Sequence, residues 1–215
     1  MAHSARRYQG ITMILAFDTS TAACTAALFD PGGACLARAD EMIGRGHAER
    51  LVPMIESMLA GRRATHILVG VGPGSFTGIR VGIAAAQGLA IGWDAEVAGM
   101  SSLALLAAGA AGAGPVAAAV EGGHGELFVQ QFDRAPFAAV SDLLNLPAQA
   151  AASEITAPSV VGSAAAALVA ARGRGEAVAA LPSASDSLRL PEELRSLAPR
   201  PLYARAPDAK VRSAA

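Results

Sequence analysis

The residues best suited to chemistry in this chain gather in a glycine turn, a carboxylate that ends an apolar run, and a histidine at the head of a helical stretch. The turn is Gly72-Pro73-Gly74-Ser75-Phe76-Thr77-Gly78, between an apolar run and a helical pattern. At such a junction free backbone N–H groups and the helix dipole favour an anion. The spacing is not that of a Walker A loop, because no Lys-Ser or Lys-Thr follows the glycines, and it misses the third glycine of the dinucleotide fingerprint. The residues alone leave two readings evenly open: a phosphate cradle built from Gly72, Gly74, Ser75, Thr77 and Gly78, or a tight turn that needs glycine conformations. Arg80 in the helix's first turn opposes the dipole and so calls for an acidic partner or an anionic ligand. Asp18, with Thr19 and Ser20 beside it, could hold a hydrated Mg²⁺ or cap its own turn, and the cap is the simpler reading. His47 lacks a histidine at i+4 and reads as a capping or surface residue rather than a metal ligand.

The elements that must position these residues follow from periodicity. Short apolar runs at 14–17, 25–29 and 34–39, separated by tight turns, predict an antiparallel meander. Leu51, Met54, Ile55, Met58 and Leu59 mark one apolar face of a helix over 47–60, with Pro53 inside it and Gly61 as its stop. A continuous apolar run at 67–71 predicts a strand covered on both faces, and a helix over 77–91 follows the glycine turn. A short strand at 96–99 and a helix over 101–111, capped by Ser101 or Ser102, complete a β-β-β-α-β-α-β-α order. Gly112-Ala113-Gly114-Pro115 marks a boundary, giving an arm at 1–12, a first lobe at 13–112 and a second lobe with a tail at 113–215. Beyond the boundary, strands are predicted at 116–120 and 127–132, then one helix, then an extended tail from Pro199 towards Lys210.

The helix over 77–91 is unusual for its small residues, Gly82, Ala84, Ala85, Ala86, Gly88 and Ala90, among apolar Val81, Ile83, Leu89 and Ile91. An interior helical glycine costs about 1 kcal/mol relative to alanine, and close approach by another helix gives that cost a reason. The approaching helix could belong to this chain's own core or to another chain.

Composition narrows the function classes. Hydrophobic residues make up 53% and charged residues 16% of the 215, which excludes a disordered chain. A net charge of -1 supplies no general pull towards nucleic acid. Two cysteines, Cys24 and Cys35, lack metal-ligand spacing and read as thiols of a reducing cytoplasm. The uncharged stretch 103–120 is interrupted by Pro115, so no membrane span is expected.

The runs Ile14-Leu15-Ala16-Phe17-Asp18-Thr19-Ser20, Gly46-His47-Ala48-Glu49-Arg50-Leu51 and 70–92, with Gly-Pro-Gly-Ser-Phe-Thr-Gly-Ile-Arg inside it, resemble the bacterial TsaB (YeaZ) family. The late Pro-Leu-Tyr-Ala-Arg-Ala-Pro-Asp-Ala-Lys run at 201–210 is similar to that family's closing segment. The resemblance implies an α/β, actin-like ATPase fold (sugar-kinase/Hsp70 type) of two related lobes, here with an abbreviated second lobe. It implies a cytoplasmic, non-catalytic subunit of the machinery that places threonylcarbamoyladenosine next to the tRNA anticodon. The related catalytic subunit, TsaD, binds a metal through a His-x-x-x-His pair just after the strand matching 96–99. Here that stretch reads Met100-Ser101-Ser102-Leu103-Ala104-Leu105-Leu106, with no histidine, so no metal site is expected.

The same resemblance implies that the first two helices pack against TsaD or a second copy, through Leu51, Met54, Ile55, Met58, Val81, Gly82, Ala85, Ala86 and Leu89. It implies TsaE, an ATPase, in the same assembly, tRNA contacted through the complex, and ATP or ADP only at the level of that complex. Glu121-Gly122-Gly123-His124-Gly125-Glu126 departs from the Asp-Ala-Arg that relatives carry before the Gly-Glu. The alternative of another class is an ATP-dependent phosphotransferase using Asp18 and the glycine turn. A metallopeptidase, suggested by the glycoprotease-like label attached to the family, lacks ligands.

Overall fold

A computed structural model describes residues 13–202; the expected arm at 1–12 and the closing segment past Leu202 lie outside them. The chain opens with β1 (Ile14–Asp18), β2 (Ala23–Phe29) and β3 (Cys35–Met42), which pair as an antiparallel meander. Then follow α1 (His47–Leu59), β4 (His66–Gly70), α2 (Phe76–Trp93), β5 (Glu96–Met100) and α3 (Ser102–Ala108). β4 lies parallel to β1 and β5 parallel to β4, so the first sheet has the order β3-β2-β1-β4-β5. α1 runs straight through Pro53, which sits on the exposed side, where water replaces the missing ladder bond.

The second sheet repeats the plan. β6 (Val116–Gly123), β7 (Glu126–Arg134) and β8 (Phe137–Ala139) form a second meander, with β9 (Leu144–Pro147) further along the same edge of β7. After α4 (Ala148–Glu154), β10 (Ser159–Val161) pairs parallel to β6, and after α5 (Ala165–Arg172), β11 (Glu176–Val178) pairs parallel to β10. Its order, read from the meander inward, is β8-β7-β6-β10-β11, the order of the first sheet. Two copies of one strand order make the two-lobed actin-like α/β fold, with the second copy cut to three-residue strands in β8, β10 and β11.

Alternation along β1 and β6 explains the layers. Leu15 and Phe17 point to α1 and α2, whereas Ala16 points to α3. On β6, Val116, Ala118 and Val120 also meet α3, while Ala117 and Ala119 meet the α4–α5 layer. α3 is thus sandwiched between two sheets and all seven of its residues are buried. Alanine at Ala16, Ala27 and Ala118 lets both sheets close on it, which gives the alanine-rich composition a structural use.

The stretch after β11 turns back. A 3-10 helix (Ala184–Arg189) and α6 (Glu192–Arg195) return to the first sheet, where Ala184 N–H donates to Thr25 Oγ1 at 2.7 Å. Gly99 and Leu197 exchange backbone bonds of 2.7 and 2.9 Å, and Leu202 N–H donates to Val71 O at 2.8 Å. The C-terminal part of the described chain therefore braces the first lobe, next to the glycine turn. Sequence periodicity does not show β8 to β11, because strands of three or four residues carry no period to read.

Candidate functional site

Asp18 is wholly buried, at 0% exposure, at the end of β1. Its Oδ1 accepts from Ser20 N–H at 2.7 Å and from Ser20 Oγ at 2.6 Å, and its Oδ2 accepts from Ser102 Oγ at 2.5 Å. These bonds make a buried carboxylate tolerable. Room for it comes from β4: a Cβ on Gly70 would lie 1.9 Å from Asp18 Oδ2. Ser102 then ties the carboxylate to the glycine turn, since its Oγ accepts from Gly72 N–H at 3.1 Å and its N–H donates to Gly72 O at 2.9 Å.

The turn itself is closed by this chain. Ser20 O accepts from Ser75 N–H at 2.7 Å, and Ser75 Oγ caps α2 by accepting from Gly78 N–H at 3.2 Å. Thr19 Oγ1 donates to Gly78 O at 2.8 Å, and a Cβ on Gly78 would meet Thr19 O at 2.0 Å. Asp18, Thr19, Ser20, Gly72, Gly74, Ser75 and Gly78, expected as an anion turn, are thus brought together, but around one another. The Ser75 and Gly78 amides at the head of α2 face a carbonyl and a capping hydroxyl of this chain. Thr77 is exposed. Arg80 is exposed too, and its guanidinium carbon lies 3.4 Å from the centre of the Phe76 ring, one helical turn back. The Arg80 cation thus lies over an aromatic face.

The expected partner face needs correcting. Leu51, Met54, Ile55 and Met58 are buried in the core between α1 and the first sheet, and Gly82 and Ala86 also point inward on α2. None of these six can meet another subunit, because a helical apolar period marks the side that is buried without saying against what. Val81, Ala85 and Leu89 are half-buried. The exposed residues of the helix pair are Ala48, Glu49, Arg50, Val52, Pro53, Glu56 and Ser57 on α1 and Phe76, Thr77, Arg80, Ala84, Gln87, Gly88, Ile91 and Gly92 on α2. Ile91 is 87% exposed, Phe76 56% and Val52 50%.

The glycines of α2 divide the helix in two. A Cβ on Gly82 would lie 2.6 Å from Thr19 Oγ1, so both Gly78 and Gly82 serve this chain's own packing. A Cβ on Gly88 or Gly92 would meet nothing within 4 Å. The first half of the helix is small for internal reasons; the second half is small for none that the described residues supply.

Elsewhere, His47 is buried and its Nε2 lies 3.1 Å from Ala23 O, so it ties α1 to β2. Cys24 is buried beside it, and burial, with the nearby Glu41 carboxylate, pushes its thiol up to about 11. Among the described residues, no group of three or more His, Cys, Asp or Glu could hold a metal. The residue that sequence reasoning missed is Ser102: the cap of α3 is Ser101, whose Oγ accepts from Ala104 N–H at 3.2 Å. Two adjacent serines before a helix were the only signal.

Known proteins are similar to this chain. A family model described as TsaD, tRNA N6-adenosine threonylcarbamoyltransferase, matches residues 40–143. The tRNA threonylcarbamoyladenosine biosynthesis protein TsaB of Escherichia coli K12 is 40% identical over 129 residues, 56% of this chain and 55% of that protein. The TsaB of Haemophilus influenzae is 42% identical over 104 residues, 46% of this chain and 43% of that protein. YeaZ from Pseudomonas aeruginosa superposes with a TM-score of 0.74 at 29% identity, covering 90% of this chain and 100% of that one. The chain is similar to the TsaB (YeaZ) family. It spans about half the length of the curated TsaB relatives it matches. Within that family frame, the glycine turn and the two helices it positions fall inside the stretch matched by the TsaD model.

Proposed function

We propose that this chain is a non-catalytic subunit of the machinery that forms threonylcarbamoyladenosine in tRNA, and that the outer face of α1 and α2 docks a TsaD-type transferase subunit. The observation that carries the docking face is the far half of α2. Gly88 lies in a helix interior, where glycine costs about 1 kcal/mol relative to alanine, yet among the described residues nothing occupies the space beside it. Ala84 and Gly88 lie one turn apart on the exposed side, with Ile91 beyond them. That surface fits a helix brought close enough for backbone contact, and the relatives named TsaB supply the class of partner.

The same face would pair two copies of this chain when the partner is absent. A TsaE-type ATPase belongs to the same assembly, and any ATP or ADP acts at that level. With a net charge of -1, tRNA is met through the complex. No helix among the described residues is long and apolar enough to cross a membrane, and the proposed place of work is the cytoplasm.

Light scattering after size exclusion, with the chain and a purified TsaD-type subunit alone and mixed, tests the proposal. A mixed species of summed mass is expected. Gly88→Leu is expected to abolish it while the chain stays folded, and Gly88→Ala to raise the melting temperature of the isolated chain while weakening the complex. A complex unaffected by Gly88→Leu would remove α2 as the docking face.

A further inference from the structure

We infer that Ser102 is a positioning residue for docking: its hydroxyl holds the start of α2 so that the far half of that helix meets the other subunit at the required angle. The inference rests on the docking face proposed above.

Ser102 is buried at the head of α3, and its hydroxyl is used wholly outside its own helix. The Oγ donates to Asp18 Oδ2 at 2.5 Å and accepts from Gly72 N–H at 3.1 Å, while the Ser102 N–H donates to Gly72 O at 2.9 Å. Helix capping does not account for this, because Ser101 already caps α3. The Ser102 bond to Asp18 Oδ2 helps satisfy the buried carboxylate, whose Oδ1 is served by Ser20, but that role does not call for the two further bonds to Gly72. The bonds to Gly72 grip a turn that opens α2 at the Ser75 cap.

The frame behind Ser102 is rigid. α3 is buried throughout its length between the two sheets, so the start of α2 is tied to the layer that joins the lobes. Leverage makes this matter. Gly88 lies twelve residues beyond Phe76, about 18 Å along the axis, so a tilt of about 5° at the turn moves it by about 1.5 Å. A close-packed helix contact does not absorb such a shift.

The test uses the full chain and a purified TsaD-type subunit, with affinity by calorimetry, thermal melts and amide exchange. Ser102→Ala is expected to weaken binding about tenfold and to strip protection from the Gly72 amide. Ser102→Cys, similar in size with a weaker donor and acceptor, is expected to fall between it and the unsubstituted chain. Leu168→Ala, in the second-lobe core away from α2, is the control for a general loss of stability. At a temperature where all are folded, it is expected to bind like the unsubstituted chain.

Ser102→Ala binding with unchanged affinity overturns the inference, as does Leu168→Ala weakening binding as much as Ser102→Ala. Should Ser102→Ala fail to fold, Ser102→Cys decides: full affinity with a deprotected Gly72 amide overturns the inference, and reduced affinity supports it. No binding by the unsubstituted chain overturns the docking reading itself, and this inference with it.

Discussion

The two lobes share a strand order but not a centre. In the first, Phe17 pairs with Val69, so the next residue of β1, Asp18, lies beside Gly70. In the second, Ala118 pairs with Val161, so Ala119 lies beside Gly162. The partners across the meander differ in the same sense: Thr25 faces Asp18, and Val129 faces Ala119. A glycine is kept in both lobes because strand 1 is approached closely in both. A Cβ on Gly70 would meet the Asp18 carboxylate at 1.9 Å, and one on Gly162 would meet Ala119 O at 2.2 Å. The topology therefore needs the glycine and does not need the carboxylate. The lobe with the polar centre is the one that opens an 18-residue helix towards the surface; its counterpart opens helices of seven and eight residues. A buried, fully bonded carboxylate adds directional constraints that apolar packing lacks, and here those constraints fall on the turn that aims α2.

The widest break in the comparison comes from the paired glycines. Gly162→Ala, at a φ of +120° and against backbone, is expected to cost more than about 3 kcal/mol in urea unfolding, and no second change should relieve it. Gly70→Ala is expected to be similarly harmful alone, but its obstacle is a side chain. Combined with Asp18→Ala it should cost about 1–2 kcal/mol less than the sum of the two single changes. Strict additivity would show that Asp18 is not what excludes a side chain at position 70.

A smaller effect separates the two centres. Asp18→Ala leaves the Ser20 N–H, Ser20 Oγ and Ser102 Oγ donors without their acceptor, and about 3 kcal/mol of stability should go with it. Hydrogen exchange is expected to show the loss in β1, the glycine turn and the head of α3, with β6 and β10 unchanged. Uniform loss across both sheets would mean the lobes do not differ in this way.

The gentlest probe is pH. Both cysteines of the chain lie in the first lobe, and burial pushes the Cys24 thiol from 9.0 up to about 11. The unfolded chain sheds that proton near pH 9 while the folded chain keeps it. The contribution is therefore fully present below pH 9 and is lost as pH rises through about 11. Denaturant midpoints between pH 8 and 11 should fall, and Cys24→Ala should flatten the slope.

Much of the fold is legible in the residues themselves. The alternation of β1 to β3, the apolar period of α1 and the continuous run of β4 each repeat often enough to declare their type. The Gly-Pro-Gly-Ser-Phe-Thr-Gly-Ile-Arg run marks both the family and the start of α2. Three-residue β10 and β11 have no room for a period; β10 takes its place beside β6 by pairing across more than forty residues, and β11 then pairs with β10. Direction was equally unreadable. Leu51, Met54, Ile55 and Met58 show that α1 has an apolar side, but their own sheet claims it, and the surface left for a partner is the exposed set ending at Gly92.

By itself, then, the sequence determined the elements of the first lobe, where the turn falls and which family the chain resembles, since all three depend on patterns within short windows. The tertiary structure alone decided that the glycine turn is filled by Thr19 and Ser20, that Arg80 stacks on Phe76, and that Ser102 binds a carboxylate 84 positions away. It alone separated Gly78 and Gly82, which serve the core, from Gly88, which meets nothing among the described residues. The physical reason is common to all of these. A glycine or a serine has the same local chemistry wherever it stands, and only the atoms that long-range packing brings within a few ångströms give it a role.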